Sequence, residues 1–249
     1  MNSPIPASAV HPSEFRRIYV WELPVRFFHW LNALSILVLG VTGVLIAHPP
    51  ALASAAEASF SYWFGINRFI HFLTAYLFTA NFALRIYWGF AGNTFADWRN
   101  FLPLRRAQFR QVLDVLRVDI LQARDQPIVA VGHNAVAYFT YLVLFLAMAF
   151  QIVSGFAMYT SMSTAWFPSL FAWAVPLFGG DYALREWHYV ATWFFGLFTL
   201  VHVYLVAYHD YVEGHGVMSS MVGGWKFLHS DALRSAGKSW FTTRRPAKR

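Results

Sequence analysis

Cysteine is absent from the 249 residues, which excludes disulfides, thiolate-held iron–sulfur clusters, thioether-attached haem and cysteine nucleophiles. Charge is also scarce, at 12% of residues against about 25% in an ordinary soluble domain. Hydrophobic residues make up 57% of the chain and aromatic residues 19%, a composition for a bilayer rather than for a large soluble core. The opening stretch MNSPIPASAVHPSEFRR lacks the apolar core of a cleavable signal peptide, so the first hydrophobic helix is expected to direct its own insertion. A formal net charge of +7 would suit nucleic acid, but in a chain with several spans a basic excess reflects topology, and no nucleic-acid partner is expected. With thiols excluded, any metal or redox group must be held by histidine, carboxylate or methionine. There are ten histidines.

Four apolar stretches reach the roughly 20 residues that a membrane-crossing helix needs. They run over about 27–47, 68–90, 134–160 and 186–208, and predict an all-α membrane protein, a four-helix bundle forming one domain over 1–249 with flexible tails at 1–15 and 235–249. Basic residues settle the orientation. Seventeen lie before the first span, around and after the end of the second, or after the fourth, and only Arg68 and Arg185 lie on the other side. By the positive-inside rule both termini and the 91–127 loop are expected to be cytoplasmic. That loop has Phe109, Val112, Leu113, Leu116 and Ile120 at helical spacing among arginines, the pattern of a surface helix on anionic headgroups. On the outer side, TAWFPSLFAWAVPLF (164–178) is apolar but too short to cross, and Pro168 and Pro176 interrupt it. It reads either as an interfacial segment or as a docking surface for an external partner.

Histidine in hydrocarbon is costly unless something satisfies it, and four histidines fall within the spans. His188 and His202 are fourteen residues apart, 40° short of four full turns, so they share one helix face about 21 Å apart along the axis. One metal cannot bind both. Paired zinc ligands on a helix would sit about four residues apart, and no such pair lies in the spans. An iron with two axial imidazoles instead takes one histidine from each of two facing helices at matching depth. Spans two and four both run inward, and His71 and His188 each follow an arginine by three residues at the outer level. Span one runs the other way, placing His29 near the inner face with His202. One isolated histidine would read as a core side chain bonded to a carbonyl, but four that pair by depth read as the ligands of two haem sites.

The pattern R-x-x-H-aromatic occurs at RFFHW (26–30), RFIHF (68–72) and REWHY (185–189). Three residues put each arginine on its histidine's face, one turn nearer the surface, where a guanidinium can bind a haem propionate. For Arg68 and Arg185, isolated on the side where topology disfavours them, propionate contact is the expectation. For Arg26 the ordinary marking of a span end serves equally. His133 and Asn134, with His209, Asp210 and Glu213, lie at the inner level and could bind a quinone carbonyl and deliver protons; ordinary headgroup-level polar residues are the competing reading. His11, His48, His215 and His229 fall in predicted loops and carry no assignment. Gly40, Gly43, Gly155 and Gly196 permit close approach, either of a flat macrocycle or of neighbouring helices.

These residues resemble the b-type cytochrome subunit of membrane-bound nickel-iron hydrogenases. RFFHWLNALSILVLGVTG (26–43) and REWHYVATWFFGLFTLVH (185–202) look like that family's two signatures, and GHN (132–134) and MSSMVGGWKF (218–227) are similar to further segments. Glu186 and Tyr189 depart from the expected small and basic residues. The resemblance implies two non-covalent bis-histidine haem b groups, the outer on His71 and His188 and the inner on His29 and His202. It implies an anchor for the small iron–sulfur and large subunits of a hydrogenase on the outer face. Electrons from hydrogen oxidation would pass to membrane quinone; the chain would not itself act on hydrogen but would contribute the quinone-reduction site. The cytochrome subunit of another quinone-linked complex, of formate dehydrogenase or b561 type, is one alternative. A haem-free anchor or transporter is another.

Overall fold

A computed structural model describes residues 15–50, 62–98, 135–213 and 216–229. The chain enters through a short strand, β1 (Phe15–Tyr19), and then forms α1 (Leu23–Ala47) and α2 (Trp63–Ala91). Next come α3 (Ala135–Tyr159), the four-residue helices α4 (Trp166–Ser169) and α5 (Ala174–Leu177), α6 (Asp181–Glu213), α7 (Val217–Gly223) and β2 (Trp225–His229). Four of these helices are long and apolar enough to cross a membrane, as the sequence predicts. Pro24 in the first turn, where no intrahelical N–H is needed, starts α1, and Pro49 and Pro50 stop it. Within the spans the hydroxyls of Thr42, Thr79, Ser154 and Thr199 donate to the carbonyl four residues back, which satisfies polar groups that lipid cannot. Three of the long helices run four or five residues beyond the predicted span limits, because capping turns extend past the apolar stretch that defines a span.

Helix α1 packs closely along α2, α3 along α6, and α1 also along α6, while α2 meets α3 through side chains such as Tyr76 on Phe156, ring centres 4.9 Å apart. The bundle is thus two helix hairpins joined along an α1–α6 seam and by aromatic side chains between α2 and α3. Its middle is filled by Phe78, Met148, Ile152, Phe156 and Phe195, with Phe82 stacked on Phe145 at 4.4 Å. The 164–178 segment has two faces. Phe167 and Phe171 pack on Phe156 and Ala174 is fully buried, while Trp166, Leu170, Trp173 and Leu177 point outward.

The end of the bundle predicted to face the cytoplasm carries a two-stranded antiparallel sheet that the apolar pattern does not announce. Strands β1 and β2 pair from Phe15 with His229 to Tyr19 with Trp225. Of the tails expected to be flexible, all but Phe15 lies outside the described residues, and Phe15 opens β1. Gly224 makes the junction: at φ +85° it accepts both the Val20 and Trp21 backbone N–H groups on its carbonyl. Trp21 donates to Ser220 Oγ at 3.2 Å, and one carboxylate oxygen of Glu22 accepts from Trp88 Nε1 at 3.0 Å and from the Asn93 amide at 2.9 Å. Residues 99–127, where the basic amphipathic helix is expected, lie outside the described residues.

Candidate functional site

The four span histidines stand at two levels. His71 is the ninth residue of α2 and His188 the eighth of α6, so two helices running the same way carry them at equal depth. The two are near enough to interact electrostatically. His29, in the second turn of α1, faces His202 near the other end of α6, with ring centres 6.3 Å apart and planes 55° apart. Two metal–imidazole bonds of about 2 Å, plus roughly 1.1 Å from each nitrogen to its ring centre, span about 6.2 Å. His29 Nδ1 is buried with no hydrogen-bond partner among the described residues. A gap of that width between two imidazoles fits an iron atom.

At each level two span histidines stand together. Among the described residues no three of His, Asp or Glu converge on one point, so a metal there must bring its remaining ligands with it. A porphyrin supplies four equatorial nitrogens and needs two axial ones, the number each pair provides.

The surroundings of the two pairs differ. Around the outer pair, Thr42 Oγ1 lies 2.8 Å from His71 Nδ1, and Ser154 Oγ 2.7 Å from His188 Nδ1. The neighbouring glycines allow this approach: a Cβ on Gly43 would lie 3.4 Å from His71 Cε1, and one on Gly155 3.3 Å from His188 Cε1. Gly40 and Gly196 have no such neighbour within 4 Å. The backbone is tied down as well. Asn67 donates to the Thr42 carbonyl at 3.1 Å, and Gln151 donates to the His188 carbonyl and to Thr192 Oγ1. Sequence reasoning weighs the glycines for close approach of a flat macrocycle or of neighbouring helices, and passes over the hydroxyls. The available signal is a repeated Val-Ser/Thr-Gly, at 41–43 and 153–155, each in the helix preceding a histidine's own.

At the inner pair the His202 ring stacks on Phe198, centres 5.2 Å apart, and Trp30 meets His29 edge-on. Helix α7 braces this corner: Trp30 Nε1 donates to the Met221 carbonyl at 3.0 Å and Arg26 Nη1 donates to the Val222 carbonyl. Arg26 Nε is buried without an acceptor among the described residues. Asn81 of α2, 1% exposed, bridges to the Phe28 carbonyl and to Asn32 Oδ1.

The remaining predicted residues are scattered. Arg68 is half-buried, with its guanidinium on Met162 Sδ and within 6 Å of the Phe64 and Phe72 rings. Arg185 is exposed one turn before His188. His133 and Asn134 lie outside the described residues. His209 sits edge-on to Tyr208, and Asp210 Oδ1 accepts the Met218 backbone N–H at 3.1 Å, holding the start of α7. His48, without an assignment from sequence, shares a 3.0 Å hydrogen bond with Tyr189 beside the outer pair, so the departure at Tyr189 has a local partner.

Facing imidazoles between membrane-length helices, with no third protein ligand beside them among the described residues, suit a membrane-embedded b-type cytochrome. The chain belongs to the prokaryotic cytochrome b561 family, whose model matches residues 20–224, a stretch that takes in both histidine levels and the α7 brace. A protein of Cupriavidus necator named probable Ni/Fe-hydrogenase B-type cytochrome subunit is 40% identical over 213 residues, covering 84% of this chain and 86% of that one. A protein of the same name from Azotobacter vinelandii is 36% identical over 219 residues, covering 86% and 90%. The probable Ni/Fe-hydrogenase 1 B-type cytochrome subunit of Escherichia coli K12 is 33% identical over 213 residues, covering 84% and 90%.

Proposed function

We propose that this chain is the di-haem b electron-transfer and membrane-anchor subunit of a nickel-iron hydrogenase, passing electrons from hydrogen oxidation to membrane quinone. The observation that carries this is the two-level arrangement of His71 with His188 and His29 with His202. The names of the relatives support the hydrogenase association and favour it over a formate dehydrogenase partner. Haem b, when bound, supplies the one-electron redox chemistry. The chain's own residues do the rest. His71 and His188 present imidazole nitrogens at one level, His29 and His202 at the other, and α6 sets their separation at about 21 Å.

In this reading both termini face the cytoplasm of a bacterial inner membrane and the hydrogenase small and large subunits sit on the opposite face. Arg68 and Arg185 stand at that outer rim to take propionates or meet the partner, and Arg26 offers its buried Nε to an inner propionate. Quinone binds at the inner level, with His209, His133 and Asn134 as its candidate contacts; Asp210, engaged by the Met218 amide, orients α7 there.

The test is a pyridine haemochrome count on the purified complex together with the identity of what co-purifies. Two haem b per chain and a nickel-iron dimer are expected. His71→Ala and His188→Ala should each remove one and the same haem, and His29→Ala and His202→Ala the other. A single haem, a molybdenum-enzyme partner, or His71→Ala removing the haem that His202→Ala removes would each overturn the corresponding part.

A further inference from the structure

The two histidine pairs differ in one respect that follows neither from ligand count nor from depth. Both outer imidazoles are held at Nδ1 by a buried hydroxyl, Thr42 being 7% exposed and Ser154 0%, whereas His29 Nδ1 has no hydrogen-bond partner among the described residues. A hydroxyl has one proton to give. That of Thr42 is directed to the Val38 carbonyl at 2.6 Å, and that of Ser154 to the Phe150 carbonyl at 2.7 Å. Each oxygen is then left as an acceptor toward the ring, so Nδ1 carries the imidazole proton and Nε2 is free as a ligand. The chain from ring N–H through hydroxyl to helix carbonyl is relayed within one helix hairpin, α1 to α2 on one side and α3 to α6 on the other. Gly43 and Gly155 admit the ring against the backbone at the level where the preceding residue's hydroxyl can reach it.

A hydrogen bond donated by a metal-bound imidazole fixes its tautomer and orientation and raises its basicity. A more basic axial ligand favours the ferric state, which lowers the reduction potential; hydrogen bonding around the ligands is one of the protein's levers on that potential. Resting on the two-haem reading above, we propose that Thr42 and Ser154 are positioning residues that hold His71 and His188 as Nδ1–H ligands and thereby make the outer haem the lower-potential one. The inner pair, with an unanchored His29, takes the higher potential. Electrons entering from the outer side are then driven inward by a difference that four side chains create.

The test is a spectroscopic redox titration of the purified complex carrying Thr42→Val or Ser154→Ala, with haem counted in the same samples. His202→Ala, which lacks the inner haem, identifies the outer haem's component. The expected result is two haems retained, the inner midpoint unmoved, and the outer midpoint raised by a threefold to tenfold change in its ferric-to-ferrous ratio, up to about 59 mV for one electron. Thr42→Ser and Ser154→Thr, which keep the hydroxyl, should restore the original midpoint. Loss of the outer haem in Thr42→Val with rescue by Thr42→Ser also supports the proposal, because the hydroxyl is the group that threonine and serine share and valine lacks. An unmoved outer midpoint with both haems bound, or equal loss in Thr42→Val and Thr42→Ser, overturns it and leaves the two-haem reading standing. A wild-type count of one haem overturns that reading instead.

Discussion

Asn81 offers the sharpest test of how the bundle is held together at the inner level. Its amide donates to the Phe28 carbonyl at 3.1 Å and to Asn32 Oδ1 at 2.7 Å, both on α1, while Asn32 Nδ2 reaches Met148 Sδ on α3 at 3.5 Å. One side chain of α2 therefore fastens two turns of α1, one of them immediately before His29. Interhelical hydrogen bonds inside a membrane contribute about 0.6 kcal/mol on average and up to about 1.7. Losing two in Asn81→Ala costs about 1–3 kcal/mol on that scale. Asn81 Oδ1 is buried without a partner among the described residues, so deleting the side chain also removes an unsatisfied acceptor, which offsets about 1 kcal/mol. The expected net loss is about 0–2 kcal/mol. The assay is SDS-induced unfolding in detergent micelles followed by far-UV circular dichroism. Thr79→Ala is the control, since its hydroxyl bonds only within its own helix, to the Ala75 carbonyl at 2.8 Å. Because the Phe28 carbonyl positions the turn that carries His29, haem of the inner level should be lost before that of the outer level as detergent rises. Asn81→Ala unfolding at the same SDS fraction as Thr79→Ala would refute the reasoning.

Two further expectations follow from close approaches. Gly155→Ala places a methyl 3.3 Å from His188 Cε1 and should lower occupancy of the outer haem in the purified protein; unchanged occupancy in that variant would count against the glycine cradle. Gly224→Ala must hold an alanine near φ +85° with its Cβ 2.6 Å from the Tyr19 ring and 2.7 Å from the Trp21 carbonyl oxygen, so the β1–β2 pairing should slip. Arg17 and Phe227 face each other across that pairing, and a chain without cysteine permits a clean readout: an Arg17→Cys/Phe227→Cys protein should form a disulfide readily, and several-fold more slowly once Gly224→Ala is added.

Much of this protein was legible from its residues alone. Membrane helices are selected by length and apolarity, which are properties of a segment by itself, so all four spans and their order could be read directly, with ends off by a few residues. The depth of each histidine could also be read, because a helix advances by a constant rise and the direction of each span follows from where basic residues fall. His71 with His188 and His29 with His202 follow from that arithmetic, and the facing rings of His29 and His202 agree with it.

What needed the tertiary structure is everything that depends on which helix packs beside which. Thr42 and Ser154 sit in unremarkable apolar runs, and only the packing of α1 on α2 and of α3 on α6 brings their hydroxyls to imidazole nitrogens 29 and 34 residues away in sequence. Strands β1 and β2, only five residues each, have too short an alternation to stand out, and their pairing joins segments some two hundred residues apart. Periodicity encodes what a segment does against lipid; it carries no record of its neighbour. The sequence by itself therefore determined the spans, the two levels and which four histidines stand at them. The tertiary structure decided what surrounds those imidazoles, a buried hydroxyl at Nδ1 of His71 and of His188 and none at Nδ1 of His29 among the described residues, because that depends on which helix packs beside which.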